Sequence, residues 1–469
     1  MDANIDRMRD FIEGYVPEAM REAKIPGYSI AVIREGEILH AEGFGARDPA
    51  RNLPATPDTL YGIGSCTKSF VAMGIMQLVE RGKLDLGDPA SEHIPLDIGL
   101  PGKPVTIHHL LTHSSGIPSL ASSTVALQRG IGLDTGVPWG GVKDFYRLVN
   151  GAQEEIAADP GERFFYNNAA YRMLGHIIQE VSGEAFHDYI TENILEPLGM
   201  ERTTLVREEY ERDPDRMIPH WKKTDGTIVP TDFPYPNVVD NPDFSFIAAA
   251  GGIISSVIEL ANYLTMNVNG GRFGDVRLLS QESMDKMHSL HIDRPPGHYG
   301  RFGYGYGWSI TQDFQGHKMV SHGGSILVST AHLAFIPELK IGVAQAANSA
   351  GLQYQTIAEG VFTALMGNEP EKALPALEIR ERMRRLTGTY QVYKGLATVK
   401  VINKAGLLHL EQKDPFTDMM VPLIPEDDPH ESLRFYILTE GVRQPVEFVV
   451  DPRGGIDLYI ERYRYHKTN

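Results

Sequence analysis

The chain has 469 residues, about three times a typical domain, so it is too long for one compact core. Apolar residues at 42% and charged residues at 22% are globular proportions that exclude a largely disordered or coiled-coil chain. Forty-four Lys and Arg against 61 Asp and Glu give a formal net charge of −17, which argues against nucleic acid or an anionic membrane as partner and does not forbid a small anionic substrate. Met1 to Asp6 shows no basic segment leading into an apolar stretch, and no run approaches the roughly 18 apolar residues that span a bilayer. With Cys66 as the single cysteine, no intrachain disulfide can close, and a cytoplasmic setting is expected.

In chain order, Ile5, Met8, Ile12, Val16 and Met20 recur at three- and four-residue spacing and predict a helix over 4–24. Residues 27–34 read as a strand, Glu35-Gly36 as a turn and 37–45 as the hairpin partner. A helix-rich stretch follows. Residues 69–81 are apolar on nearly every side, as in a buried helix, and 171–181, 186–194 and 254–266 are patterned as further helices. Strand character returns at 302–310, 317–322, 329–336 and 341–347, and 352–366 closes the region as a helix. Strands at both ends with helices between predict an α/β (α+β) architecture. Its antiparallel sheet is assembled from both chain ends, flanked by helices and interrupted by an all-helical insertion. We expect this domain over 1–368, and a linker with a short charged helix over 369–385. Residues 386–469 carry brief strand-like runs at 388–393, 397–402, 407–412, 435–438, 446–450 and 456–460, parted by turns such as Asn403-Lys404-Ala405-Gly406. They predict a small antiparallel β-barrel with no chemistry of its own.

Ser65 and Lys68 stand three apart at the start of the most apolar helix, on one face and within side-chain reach. A serine hydroxyl needs a base to take its proton. A lysine in apolar surroundings at a helix start loses stabilisation of its charged form, so a neutral Lys68 could be that base. Ser283 and Lys286 share the spacing, but Ser280 reads as an N-cap there and Asp285-Lys286 as a solvated face. Tyr166-x-Asn168, on a loop before a helix, can aim a phenol and a carboxamide into one cavity. His322-Gly323-Gly324-Ser325 ends an apolar strand, where paired glycines let a substrate approach the backbone. The Gly-rich tract 304–308 reads as a strand, with Tyr306 a candidate pocket wall. Cys66 points about 100° away from Ser65 on the helix and is expected to be a packed thiol. His108, His109 and His113 have no accompanying carboxylate pattern, so hydrogen-bonded roles are expected, and neither metal nor other cofactor.

Together, Ser65-x-x-Lys68, Tyr166-x-Asn168 and His322-Gly323-Gly324 resemble the penicillin-recognising serine hydrolases over about residues 5–366. The resemblance is to the class C β-lactamase-like branch, with its D-peptidases, DD-carboxypeptidases and family VIII esterases. The stretches 106–118 and 195–200 are phrases typical of that family. The two-domain plan resembles CubicO-type peptidases, whose hydrolase domain precedes a lipocalin-like barrel, and by that analogy a homo-oligomer is implied. The resemblance implies that Ser65 is the nucleophile of an acyl-enzyme, Lys68 its proton partner, and Tyr166 the base that later protonates the leaving group. It implies that Asn168 contacts the substrate amide, and that the Ser65 and Ser325 backbone N–H groups form an oxyanion hole.

One departure stands out. Many relatives carry lysine where this chain has His322, and a histidine near its reference pKa of about 6.5 anchors a carboxylate less firmly at neutral pH. Hydrolysis of small peptides or amides, D-residue-containing ones among them, is therefore the first expectation. A carboxylesterase on short acyl esters comes next and weak β-lactam hydrolysis third; the non-enzymatic alternative is a binding protein that keeps the pocket without turnover. An α/β-hydrolase would need G-x-S-x-G, which the chain lacks.

Overall fold

The computed structural model describes residues 3–130, 132, 133, 135–234, 238–404, 406–413, 415, 417–427 and 432–468. It divides into two compact units, residues 12–358 and residues 1–11 with 359–469. The opening helix α1 (Ala3–Ala23) buries Met8, Ile12, Val16 and Met20, the stripe its periodicity predicts.

The larger unit is built on a nine-stranded sheet. Its early strands are β1 (Gly27–Arg34), β2 (Glu37–Asp48) and β3 (Leu53–Pro54). Its late strands are β4 (Ile292–Gly297), β5 (Gly300–Tyr304), β6 (Ser309–Phe314), β7 (His317–Ser325), β8 (Thr330–Ile336) and β9 (Ile341–Ala347). Their spatial order is β4-β5-β6-β7-β8-β9-β1-β2-β3, and β1 joins β9 antiparallel from Tyr28 opposite Ala347 to Arg34 opposite Ile341. The sheet is thus closed in its middle by the two chain ends, as expected. Between them lie α2 (Thr67–Glu80), α3 (Asn168–Ser182) and α4 (Val257–Val268). Every residue from Thr67 to Leu78 is buried, which is why α2 shows no polar face. Ser256, whose Oγ accepts the Glu259 N–H at 3.2 Å, caps α4, so the helix expected from 254 starts three residues later. The helix expected over 186–194 is α-helical only for Phe186–Ile190 and widens into a π-turn over Thr191–Leu195.

Residues 302–310 do not form one strand. The chain leaves β5 at Tyr304 and re-enters the sheet at Ser309, turning through Gly307 at φ 75°, so the tract 304–308 is strand at Tyr304 alone. A Cβ on Gly307 would lie 2.7 Å from Ser69 Cα and 2.8 Å from Lys68 O, so this turn is pressed against the N-terminal end of α2. Strand β4 escapes sequence reasoning because of Pro295 and Pro296. It is an edge strand of the sheet, where prolines cost no ladder hydrogen bond.

In the smaller unit, α5 (Tyr354–Leu365, its start lying in the larger unit) and α6 (Pro375–Leu386) precede nine antiparallel strands. These are β10 (Gly388–Gln391), β11 (Thr398–Lys404), β12 (Leu407–Lys413), β13 (Asp418–Pro422), β14 (Ile424–Pro425), β15 (Arg434–Thr439), β16 (Val442–Val450), β17 (Ile456–Ile460) and β18 (Tyr463–Lys467). The order β13-β12-β11-β10-β18-β17-β16-β15-β14 places consecutive β13 and β14 at opposite ends, so the sheet curls into a nearly closed barrel. Tyr390, Val399, Val401, Leu408, Leu410, Phe448 and Leu458 fill it. Strands β13, β14 and β18 carry Pro422, Pro425 or the charged run Arg464-Tyr465-His466-Lys467, which hid them from pattern reasoning. Ala405, part of the turn expected at 403–406, lies outside the described residues. Among the described residues, no helix is long and apolar enough to cross a membrane.

Candidate active site

A single 3-10 turn, Gly64–Cys66, feeds α2 and leaves Ser65 partly accessible, while Lys68 is fully buried one turn on. Lys68 Nζ lies 3.0 Å from Ser65 Oγ, 2.7 Å from Asn168 Oδ1 and 2.7 Å from the Ala250 carbonyl. No carboxylate pairs with it among the described residues. Burial drives its pKa well below the usual lysine value, and the charge of Arg172 adds to the effect. The hydrogen-bond arithmetic matters. A neutral amine has two N–H donors and one lone pair. The two carbonyl oxygens can only accept and so consume both donors, which turns the lone pair toward the Ser65 hydroxyl. Deprotonated Lys68 is thereby disposed as a base for Ser65.

Asn167 and Asn168 divide their labour by position. Asn167 is the N-cap of α3, its Oδ1 accepting the Ala169 N–H at 2.9 Å while its amide donates to the Ile117 and Pro118 carbonyls, each at 3.2 Å. With the cap filled, Asn168 turns to Lys68. Tyr166, just before the cap, sets its ring 4.9 Å from Lys68 Nζ and 6.2 Å from the His322 ring. Beneath it His113 lies ring to ring at 4.4 Å, and its Nδ1 accepts the Asn167 N–H at 3.1 Å. Burial first, then the charge of Lys68, holds the His113 pKa far below normal, so it is a neutral brace for the tyrosine loop. Sequence reasoning assigns His113 a hydrogen-bonded role but gives no sign of this placement. Arg172 is likewise unforeseen, although it stands four residues after Asn168 and so on the same face of α3.

At the end of β7, His322 is 5% exposed and both ring nitrogens are engaged. Nδ1 donates to the Gly323 carbonyl at 2.7 Å and Nε2 accepts from Tyr304 Oη at 2.9 Å, the tautomer that satisfies both contacts. Burial, then Lys68, lowers its pKa to about 3. The imidazole is therefore uncharged throughout the neutral range. Gly324 and Ser325 lie against the Ser65 turn so closely that a Cβ on Gly64 would sit 2.4 Å from Ser325 N, and one on Gly324 would sit 1.8 Å from Ile63 O and 2.8 Å from Ser65 N. The Ile326 N–H donates to the Ser329 carbonyl across the hairpin, and ladder alternation then turns the Ser325 N–H away from β8, toward Gly64. Ser65 and Ser325 N–H groups thus share one crevice. Gly323 faces open space, its nearest neighbour being His332 Cδ2 at 3.8 Å.

Tyr306 is 3% exposed and its hydroxyl is taken by His108 Nδ1 at 2.8 Å, with the His291 ring stacked on it at 4.3 Å. His109 completes a capping box with Thr106. Cys66 donates its thiol to the His322 carbonyl at 3.2 Å, and burial pushes its pKa up to about 12, which leaves it unreactive. Ser283 sits in an ordinary helix start capped by Ser280, with Lys286 ion-paired to Glu282 at 3.1 Å. Among the described residues no cluster of three His, Cys, Asp or Glu could hold a metal ion.

Residues 12–360 match the family model described as Beta-lactamase, and residues 370–466 match the one described as Pab87 octamerisation domain. The structure superposes on that of the octameric penicillin-binding protein homologue from Pyrococcus abyssi with a TM-score of 0.89 and 38% identity, covering 100% of both chains. It also resembles EstCE1, described as a hydrolase with promiscuous acyltransferase activity, at a TM-score of 0.62 over 77% of this chain and 99% of that one; at 20% identity this shows the fold alone. Protein flp of Staphylococcus aureus (strain MW2) is 27% identical over 340 residues, 72% of this chain, and the match spans only 62% of the length of that relative. A match over three quarters of the chain, on a sheet closed by both chain ends, places the protein in the β-lactamase family, whose fold is shared by serine hydrolases, esterases and penicillin-binding-protein-like proteins.

Proposed function

We propose that the protein is a serine hydrolase that works through an acyl-enzyme on Ser65, acting on small peptides or amides, with D-residue-containing ones among them. The observation that carries this is the sealed amine of Lys68, held 3.0 Å from Ser65 Oγ with its other two partners both carbonyl oxygens. Lys68 takes the Ser65 proton as Oγ attacks the scissile carbonyl. The developing oxyanion is received by the N–H groups of Ser65 and Ser325. Tyr166 passes a proton to the leaving group and then takes one from the water that hydrolyses the ester, while Lys68 returns its proton to Ser65 Oγ as that oxygen leaves the acyl carbon. Asn168 holds Lys68 in place and offers its remaining amide donors to the substrate. A second reading, an esterase on short acyl esters, is favoured by the uncharged His322, which demands no anionic group of its substrate.

We assign the hydrolase to residues 1–368, a linker to 369–385 and a lipocalin-like barrel to 386–469, and propose that the barrel joins copies of the chain into a homo-oligomer. The match of 370–466 and the outward-facing Tyr393, Leu396 and Val442, 73%, 82% and 68% exposed, support that role. A single buried cysteine suits a cytoplasmic protein.

The test is a fluorophosphonate probe with a panel of p-nitrophenyl esters, D- and L-aminoacyl amides and nitrocefin. Labelling and turnover are expected in the wild type and lost in Ser65→Ala, with the melting temperature kept. Undiminished turnover by Ser65→Ala refutes the nucleophile; a folded wild type that is neither labelled nor active on the panel supports a binding protein instead.

A further inference from the structure

A cavity of about 400 Å³ lies in the helical insertion, and none of the described residues that line it belongs to the acylation steps. That volume is within the range small ligands occupy, ~300–1,000 Å³. Trp139, Phe244 and Ile247 give it an apolar wall, and Arg129, Arg207 and Asp240 are part of its polar lining. Among the described residues each arginine spends one N–H. Arg129 Nη1 donates to the Val137 carbonyl at 2.9 Å, and Arg207 Nε to Glu211 Oε1 at 2.7 Å. The rest of each guanidinium fork is open to an acceptor. Two cations, one carboxylate and an aromatic wall complement a molecule that carries a carboxylate, an ammonium and an apolar ring.

Two links run from this cavity to Lys68. The first is the 3-10 helix Pro242–Ala250, whose nine residues are long for a geometry that seldom runs past about four. At three residues per turn Phe244, Ile247 and Ala250 fall in one row. The row that lines the cavity therefore ends, about 6 Å beyond Ile247, at the residue whose carbonyl accepts from Lys68 Nζ at 2.7 Å. This helix is pressed on α3 so closely that a Cβ on Gly175 would stand 2.5 Å from Ala249 Cβ. The second link is Arg172. Its guanidinium lies 5.5 Å from the Trp139 ring, its Nε donates to the Ile247 carbonyl at 3.2 Å and its Nη1 to Ser122 Oγ at 2.8 Å. Its charge adds to burial in lowering the Lys68 pKa. An acceptor and a charge that act on Lys68 are thus both anchored in the walls of the cavity.

We propose that the cavity is a regulatory site for a free aromatic amino acid, whose occupancy is felt at Lys68 through the 3-10 helix and Arg172. The ring lies against Trp139 and Phe244, the carboxylate on Arg129 and Arg207, and the ammonium on Asp240. Such a molecule is a product of the hydrolysis proposed for Ser65, so the regulatory meaning rests on that reading, whereas the binding does not.

Calorimetry on the full chain compares Kd for D- and L-phenylalanine, their carboxamides and their N-acetyl forms. The proteins are wild type, Arg129→Ala with Arg207→Ala, Asp240→Asn and Arg212→Ala, each with its melting temperature checked. Arg212, on the helix Arg207–Arg212 but outside the cavity lining, controls for lost charge. One enantiomer or both should bind at least about tenfold tighter than the amide and the N-acetyl form. The double variant should abolish the first preference, Asp240→Asn the second, and Arg212→Ala neither. The ligand should change tryptophan emission in wild type but not in Trp139→Phe. Saturating ligand should alter the rate at which the fluorophosphonate labels Ser65 at least about threefold. Because coupling acts in both directions, Lys68→Met should alter the ligand Kd at least about threefold. If wild type is not labelled while the binding pattern and the Lys68→Met shift hold, the site stands and the nucleophile assignment falls. No binding of either enantiomer, preferences that survive the double variant or fall equally in Arg212→Ala, or an emission change that survives Trp139→Phe overturns the proposal. So does a labelling rate that the ligand leaves unchanged, or an unchanged Kd in Lys68→Met.

Discussion

Gly324→Ala concentrates the structural argument in one methyl group. The added Cβ would stand 1.8 Å from the Ile63 carbonyl oxygen and 2.8 Å from Ser65 N, both backbone atoms that cannot swing aside as a side chain could. Reaching ordinary contact, about 3.4 Å, needs roughly 1.6 Å of separation between the end of β7 and the Ser65 turn. That displacement parts the Ser65 and Ser325 N–H groups, which in the proposed mechanism converge on one oxygen. Loss of one oxyanion donor costs about 10²–10³ in kcat, about 2.7–4 kcal/mol, and misplacement by about 1 Å costs a similar factor. Gly323→Ala, one residue earlier, meets nothing nearer than 3.8 Å and controls for the loss of a glycine. The assay is kcat on the best ester of the panel for both variants, with circular dichroism and melting temperature to show that each is folded. Gly324→Ala is expected to lose at least about a hundredfold in kcat and Gly323→Ala at least tenfold less than that. A folded Gly324→Ala variant within threefold of wild type would refute the shared crevice.

Burial lowers the pKa of His288 and His322 to about 3 and of His108 and His332 to about 4, against about 6.5 in an unfolded chain. Between these values the unfolded state binds more protons, so stability rises with pH and is lost on acidification from about pH 6.5 toward 4. The melting temperature should drop steadily over that window, and a flat profile down to pH 4.5 rules out four buried neutral imidazoles. For the barrel, Leu396→Glu with Val442→Glu, both on exposed sites, should lower the particle mass measured by light scattering while leaving the chain folded. An unchanged mass argues that assembly uses another surface.

The legible parts of the fold were those where local pattern and tertiary role agree. The strands 27–34, 341–347 and 456–460 alternate or run apolar without interruption, and each forms as the pattern predicts. Edge strand β4 and the barrel strands β13 and β14 stayed hidden because proline lowers strand propensity locally, while only the finished sheet says where a missing N–H does no harm. The tract 304–308 misled in the opposite sense. Its aromatic residues suit a strand, but the close approach of Gly307 to α2 requires a turn.

The chain alone determined that Ser65 and Lys68 meet, because the S-x-x-K spacing is set within one helical turn and needs no distant partner. It also determined the order of the three motifs along the sheet and helices, and the barrel-like rhythm of the tail. Tertiary structure decided what those groups are chemically. Burial among α2, α3 and the Ala250 carbonyl pushes the Lys68 pKa well below the usual lysine value, and burial, then the charge of Lys68, lowers that of His322 to about 3. His113 and Tyr166, far apart in the chain, lie ring to ring at 4.4 Å only in the folded domain. Charge state and proximity are properties of an environment, and an environment assembled from distant segments leaves no local pattern to read.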